Sequence, residues 1–135
     1  MEFIVRAPKN AKPPSKNFHK SATSIFHEYD LPLFSEYDIY FYSTTKETIR
    51  PEEAILHTLL MEPNNVRNTT YALLLLKKTE QRIDNTYTVQ EAERLGLKNQ
   101  IIAMLQFLKS HEQPEDHAFP TWQEFVAKAF ERKSH

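Results

Sequence analysis

A single glycine, Gly96, is the feature that most constrains this 135-residue chain. Glycine adopts left-handed backbone conformations at little steric cost, so the chain has one natural place for a turn that requires them. One glycine cannot build the glycine-rich loops that hold phosphate groups, neither the Walker type nor the dinucleotide fingerprint. Most nucleotide-dependent enzymes are therefore excluded.

The segment around Gly96 has the spacing of a helix-turn-helix. A small residue, Ala92, precedes the glycine by four positions and allows the second helix to pack closely across the first. Apolar residues follow at helical spacing, namely Leu97, Ile102 and Leu105. The pattern predicts a helix, a tight turn at the glycine, and a second helix.

Three polar residues open the second helix of this pair: Lys98, Asn99 and Gln100. A recognition helix presents donors to phosphates and base edges at this place, so we predict them as DNA-binding residues. The alternative is a helical hairpin that belongs only to the core. Glu91 stands where DNA-binding versions carry an apolar residue, and we interpret it as the partner of Thr88 in a capping box.

The first twenty residues carry five cations and one acid. The cations are Arg6, Lys9, Lys12, Lys16 and Lys20, and the acid is Glu2. This local charge of +4 leaves −5 for the remainder, because the whole chain carries −1. A basic arm of this kind can follow a phosphate backbone or bind an acidic partner, so Arg6, Lys9, Lys12 and Lys16 are our predicted phosphate contacts. A solvated linker is the alternative.

Composition predicts one folded domain over residues 1–135, with a basic strand and linker arm at 1–16 and a compact core at 17–135. The chain has no cysteine, which excludes a disulfide framework and a thiolate zinc site. The longest apolar run covers only residues 71–76, far too short to span a bilayer. We therefore expect a cytoplasmic protein that does not contact a membrane.

Hydrophobic spacing predicts an α+β domain that is mostly helical. We expect two or three short N-terminal strands and about five or six helices, including the helix-turn-helix-like pair. The predicted strands cover residues 3–5 and 37–42. The predicted helices begin after Ser15, at Pro51, at Val66, after Thr88, near Leu97 and after Thr121.

Aromatic and titratable side chains supply further candidates. Tyr40 and Tyr42 alternate to one face of the strand at 37–42, and we predict a protein-binding surface there, with burial as the alternative. Glu53 and His57 are four residues apart on one helix, a spacing that suits an acid–base pair but is more often a local ion pair. His111 and His117 lie near acidic residues without a recognisable metal-binding spacing, so we predict no metal, no cofactor and no catalytic residue.

Seven residues separate the strand at 37–42 from the segment Arg50-Pro51-Glu52-Glu53-Ala54-Ile55-Leu56-His57-Thr58-Leu59-Leu60. This order, over about residues 37–60, resembles the C-terminal domain of AbiEi-type antitoxins and of related prokaryotic and archaeal winged-helix regulators. The resemblance implies a non-enzymatic domain that regulates through a partner.

Together these observations predict a non-enzymatic regulatory domain, antitoxin-like or transcription-regulator-like. It would act through a protein partner or DNA, and self-association is also expected. The alternative is a structural interaction or dimerisation module without nucleic-acid binding. No small-molecule substrate is evident.

Overall fold

The computed structural model describes residues 1–31, 33, 35–115 and 118–133, with the backbone alone for residues 130–133. It confirms the predicted α+β class, because a three-stranded antiparallel sheet precedes the main helices. The strands are β1 (Phe3–Pro8), β2 (Phe18–Lys20) and β3 (Tyr37–Tyr42), with a 3-10 helix (Ala22–Tyr29) between β2 and β3. The α-helices are α1 (Pro51–Met61), α2 (Val66–Thr79), α3 (Asn85–Arg94), α4 (Lys98–Ser110) and α5 (Trp122–Lys133).

β3 is the central strand of the sheet, in the order β1-β3-β2. Phe3 and Phe18 both pair with Tyr42, one from each side, and both pairings are antiparallel. β1 and β2 therefore run parallel to each other, so the connection at residues 9–17 crosses β3 over one face of the sheet. The backbone N–H of Asn10 donates to Asp38 at 3.1 Å. The crossing therefore lies on the face that Asp38 shares with Tyr40 and Tyr42.

The helix predicted to begin after Ser15 is wrong in its first turns. Phe18–Lys20 forms β2, and the helix covers only Ala22–Tyr29 as a 3-10 helix. Ser15 forms a turn instead, because its carbonyl and hydroxyl oxygens accept from the N–H groups of Phe18 and Asn17. Phe18 pairs with Tyr42 of β3 and its ring contacts the Tyr42 ring. The spacing of residues around Phe18 contains no information about this distant partner.

The hydrophobic core is centred on α1 and α2. Pro51 begins α1, as predicted, and Ile55, Leu56 and Leu59 are fully buried. The apolar run at residues 71–76 predicts a central buried helix, and the four consecutive leucines of α2 at 73–76 are all buried, which confirms it. The 3-10 helix, α3 and β1 pack against α1.

Gly96 ends α3 with the left-handed backbone that the sequence predicts, at a φ of 77°. Its N–H donates to the carbonyl of Glu93, and the N–H of Leu97 donates to the carbonyl of Ala92 at 2.7 Å. These two bonds form the Schellman arrangement that closes a helix. Both Ala92 and Leu97 are buried, so the turn also places α4 against α3.

The capping box predicted at Thr88 and Glu91 is wrong. α3 begins one turn earlier, where Asp84 accepts from the N–H of Tyr87 at 3.0 Å. The hydroxyl of Thr88 donates back to the carbonyl of Asp84, and Glu91 bonds to the side chain of Tyr87 in the same helix and lies 3.5 Å from Lys46. The preceding segment contained a better cap, since aspartate caps a helix at least as well as threonine.

Thr121 and Glu124 have the spacing of a second capping box, and the structure confirms this prediction. The N–H of Thr121 donates to Glu124 at 2.9 Å, and the N–H of Glu124 donates to the Thr121 hydroxyl at 3.1 Å. The helix that follows docks through Trp122 and Phe125, whose rings contact Phe107 of α4. The helical spacing of Trp122, Phe125 and Phe130 predicts one docking face, but the side chain of Phe130 lies outside the described residues.

The left-handed conformation of Gly96 yields a stability prediction. We expect Gly96→Ala to lower the free energy of unfolding by about 1 kcal/mol, because alanine is strained at positive φ. A Cβ at this position would meet no atom within 4 Å, so the cost is conformational and not steric. Urea unfolding monitored by circular dichroism measures it.

Gly96→Asn is the matched control, because asparagine tolerates the left-handed region better than alanine. It should recover part of the loss. Equal destabilisation by both substitutions would contradict the backbone explanation.

Candidate functional site

The three residues predicted to contact DNA lie in different environments. Lys98 and Asn99 are exposed at the start of α4. Gln100 is buried, and its side-chain amide lies 3.5 Å from the Thr69 hydroxyl of α2. Lys98 lies 3.4 Å from the carboxylate of Glu93 on α3, so an acid accompanies it. The exposed polar group at this helix start therefore consists of two residues rather than three.

The predicted N-terminal cations Arg6, Lys9, Lys12 and Lys16 are all exposed. Arg6 belongs to β1, which is hydrogen-bonded to β3, so residues 3–8 do not form a flexible arm. Its guanidinium lies 5.2 Å from the centre of the Tyr37 ring. Within the described ranges, Arg6, Lys12 and Lys16 form no ion pair with a carboxylate of this chain. Arg6 lies opposite Ile39 and therefore projects from the other face of the sheet than the one that residues 9–17 cross. We call the exposed cations of the crossing, at positions 9, 12 and 16, the N-terminal basic surface.

Tyr40 and Tyr42, the predicted partner-binding residues, differ in exposure. Tyr40 is buried, with 6% of its surface exposed, on the face that the crossing at residues 9–17 passes over. Tyr42 is half-buried and stacks on Phe3 with ring centres 4.8 Å apart, while Phe18 contacts it edge-on at 5.0 Å. The chain itself therefore supplies the aromatic neighbours of this face.

A network of charged side chains joins the residue before β1, the loop after β3, α1 and α3. At its centre, the ammonium group of Lys46 bonds to Glu53 and lies 3.5 Å from Glu91. The hydroxyl of Tyr87 donates to Glu53 at 2.8 Å and lies 3.2 Å from Glu91. The backbone N–H of Arg50 also donates a hydrogen bond to Glu53, at 2.8 Å. Both carboxylates are buried and have hydrogen-bond donors, while Lys46 and Tyr87 are only half-buried.

Arg94 connects this network to the N-terminus. It bonds to Glu91 and lies 2.8 Å from Glu2, which in turn accepts from the Ser43 hydroxyl at 3.0 Å. Burial alone would raise the pKa of the Glu91 carboxyl, but the bond from Arg94 lowers it overall. The pKa of Glu53 is lowered in the same way, because the donors Lys46, Arg50 and Tyr87 outweigh its burial. Both groups are therefore carboxylates at neutral pH.

His57 bonds to a serine instead of to Glu53, the partner that the spacing suggested. Its Nδ1 lies 2.5 Å from the hydroxyl of Ser21, and its ring stacks on Phe41 with centres 3.9 Å apart. Ser21 is wholly buried and His57 is 1% exposed. Burial lowers the pKa of the imidazole to about 4, so the ring is neutral at pH 7. This pair lines none of the three main clefts in the described part of the chain.

The sequence contains one signal of the charged network, the acidic residue that we interpreted as part of a capping box. Glu91 stands at a position where the helix-turn-helix pattern requires an apolar residue, and the structure places it among Lys46, Tyr87 and Arg94. Nothing in the sequence indicated Lys46, which lies in the irregular segment before α1. An acidic residue on an apolar helix face is thus a useful signal for a buried ion pair.

Among the described histidines near the C-terminus, His111 belongs to no recognisable metal site. His111 ends α4 and stacks on Trp122 at 3.6 Å, and His117 lies outside the described residues. Across the described residues, no three histidine, aspartate or glutamate side chains come together in a way that could hold a metal ion. No helix in that part of the chain has the length and apolarity that a membrane span requires.

A family model described as HVO_2833_C, C-terminal, matches residues 15–132. The chain belongs to this family. The family is of an archaeal type and comprises C-terminal domains, which agrees with that part of the resemblance noted for residues 37–60. The match gives no link to the AbiEi-type antitoxins. No curated protein and no solved structure matches the chain significantly. The matched segment of this HVO_2833_C domain includes β2, β3 and all five α-helices, but not β1.

The buried network predicts that Lys46 stabilises the fold. We expect Lys46→Met to lower the free energy of unfolding by about 1–3 kcal/mol, because it leaves two buried carboxylates without their shared cation. Lys77→Met is the matched control. Lys77 pairs with Glu80 while 53% of its side chain is exposed, so its loss should cost under about 0.5 kcal/mol. Equal urea midpoints for the two variants would contradict the role of the network.

The buried imidazole predicts a dependence of stability on pH. The pKa of His57 is about 4 in the folded chain and about 6.5 when unfolded. Between these values the unfolded chain binds a proton that the folded chain does not, so stability should fall as pH falls through this window. The lowered pKa values of Glu53 and Glu91 add a further loss below about pH 4.3.

Urea unfolding at a series of pH values from 7 to 4 measures this dependence. We expect His57→Gln to flatten the slope above pH 4.3, whereas His27→Gln should leave it unchanged, because His27 is exposed. A slope that persists in His57→Gln would show that another group titrates there.

Proposed function

We propose that this domain is a non-enzymatic regulatory domain of a cytoplasmic protein that acts by binding a protein partner. The observation that carries the proposal is the distribution of its charges. The acids of the central network are satisfied inside the molecule by Lys46, Tyr87 and Arg94. Arg6, Lys12 and Lys16 stay at the surface without an ion pair to a described carboxylate. A surface of this kind attracts an acidic partner.

The reactive side chains support a structural role over catalysis. A neutral histidine beside a serine hydroxyl is the chemistry of an activated nucleophile. Catalysis would also require access to substrate, but Ser21 and His57 are both buried. The bond between them joins the segment before the 3-10 helix to α1, which explains the pair as a packing contact. We therefore assign the pair to the fold.

An antitoxin-like role is our more specific hypothesis for the partner. It rests on the resemblance of the segment at 37–60 to AbiEi-type antitoxins, in which regulation operates through a partner. A domain that neutralises a toxin needs a stable surface and no reaction chemistry. The N-terminal basic surface, carried by the crossing at residues 9–17 that the sheet supports, meets that requirement.

The test of the partner hypothesis uses the proteins encoded by the genes that flank its own. Each is co-expressed with this chain, and any protein that co-purifies is titrated by isothermal calorimetry. We expect a saturable complex with a Kd near or below about 1 μM. Replacing Lys12 and Lys16 by glutamine should weaken it, whereas Lys77→Gln, on α2, should not. Absence of a complex with any flanking product would contradict the antitoxin-like role.

DNA is the second candidate partner. Lys98 and Asn99 are exposed at the start of α4, as in a recognition helix. Two observations favour the protein partner over DNA. Gln100 is buried against α2, and Glu93 lies beside Lys98. An acid next to a phosphate contact weakens it by repulsion.

The affinity for duplex DNA as a function of salt separates the two candidates. Each phosphate contact contributes about −0.9 to the slope of log affinity against log salt concentration. We expect the double variant Lys98→Ala/Asn99→Ala to bind within about twofold of the unmodified chain. A large loss of affinity, with a slope less steep by about 1, would favour a DNA-binding role for α4. Lys109→Ala, at the far end of the same helix, is the control.

A further inference from the structure

A cleft of about 570 Å³ lies between the sheet and the helices, at the end of β1. Arg6 from β1 and Arg67 from the first turn of α2 both line it, and Glu62 is the one acid among its described lining residues. Tyr37, Asn68 and Tyr71 add polar and aromatic groups. We call it the Arg6–Arg67 cleft.

The two arginines lack carboxylate partners in the described part of the chain. No ion pair within 4 Å joins either guanidinium to an aspartate or glutamate, although other arginines, Arg50 and Arg94, have such partners. Both residues are exposed. A guanidinium group presents a planar set of donors that matches a carboxylate, and two of them in one cleft favour an anionic occupant.

The edge of β1 beside this cleft has unpaired backbone groups. The N–H of Lys9 donates to the carbonyl of Glu36, the residue opposite it. In an antiparallel pair every second residue forms such bonds, so the backbone N–H and carbonyl groups of residues 3, 5 and 7 also point toward β3. Ile4 and Arg6 therefore direct their N–H and carbonyl groups outward, and no hydrogen bond within the described residues satisfies them. Pro8 occupies the next outward position, where its missing N–H costs nothing.

We propose that the Arg6–Arg67 cleft binds an acidic peptide segment of the protein partner, which rests on the proposed function. The segment extends along the open edge of β1, and a carboxylate of its side chains lies between the two guanidinium groups. Addition of a strand to a sheet edge is an established mode of peptide recognition, in which backbone bonds give affinity and side-chain pockets give specificity. The unpaired backbone groups favour a peptide over a small inorganic anion, which would use only the arginines.

Binding of a fluorescein-labelled hexaglutamate peptide, measured by fluorescence anisotropy at low salt, tests the proposal. We expect Arg6→Gln and Arg67→Gln each to weaken binding about tenfold, since each removes a charge-assisted hydrogen bond. Arg82→Gln is the matched control. Arg82 is exposed and contacts Tyr29, away from the cleft, so its replacement should change affinity less than twofold. Circular dichroism and urea midpoints establish that each variant is folded.

Two further measurements decide between the peptide and a small anion. In ¹⁵N–¹H spectra, hexaglutamate should shift the amide signals of Ile4 and Arg6, with the exposed Gln106 of α4 as an internal control. Inorganic phosphate should neither displace the peptide at equal concentration nor shift these two amides. Displacement by phosphate, equal losses in Arg82→Gln, or no binding at all would overturn the proposal. A complex with a flanking gene product whose affinity does not change in Arg6→Gln would contradict peptide binding in the Arg6–Arg67 cleft. It would still support the proposed function.

Discussion

The carboxylate of Glu53 is the contact on which the arrangement of the other elements depends. It accepts from the N–H of Arg50 at the start of α1, from Lys46 in the loop after β3, and from Tyr87 of α3. One buried side chain therefore fixes the exit from the sheet, the first turn of the central helix and the position of the helix-turn-helix-like pair. Removing any donor would leave part of a buried charge unsatisfied, so the three elements are coupled energetically.

This internal pairing also determines what remains at the surface. Lys46 and Arg94 neutralise acids inside the molecule, whereas Arg6, Lys12 and Lys16 form no ion pair with a described carboxylate. The net charge of −1 conceals this separation, because the acids of the network and these three cations occupy different places. A partner would meet a basic surface on a chain that is weakly acidic overall. This distribution of charge, more than any single motif, is the basis of the proposed binding role.

In the helix-turn-helix-like pair, the sequence motif predicted the geometry of the turn correctly, but the geometry alone does not assign a function. Gly96, Ala92 and Leu97 form the predicted turn, with the Schellman bonds that such a turn requires. Local sequence was sufficient here because every bond of the turn joins residues within six positions. Gln100 was predicted at the surface and is buried, because its environment depends on Thr69 of α2, thirty-one residues earlier. Spacing within α4 contains no information about that neighbour.

The sequence by itself determined the α+β class, the helix from Pro51, the buried leucine helix and the turn at Gly96. Each depends on hydrophobic periodicity or on the conformational preference of a single residue, which act over a few positions. Tertiary structure alone decided that Phe18 joins the sheet, that Ser21 rather than Glu53 bonds to His57, and that Lys46 serves Glu53 and Glu91. It also brought Arg6 and Arg67 to one cleft from positions sixty-one residues apart. The physical reason is that pairing of strands and of buried charges depends on which surfaces the whole fold brings together.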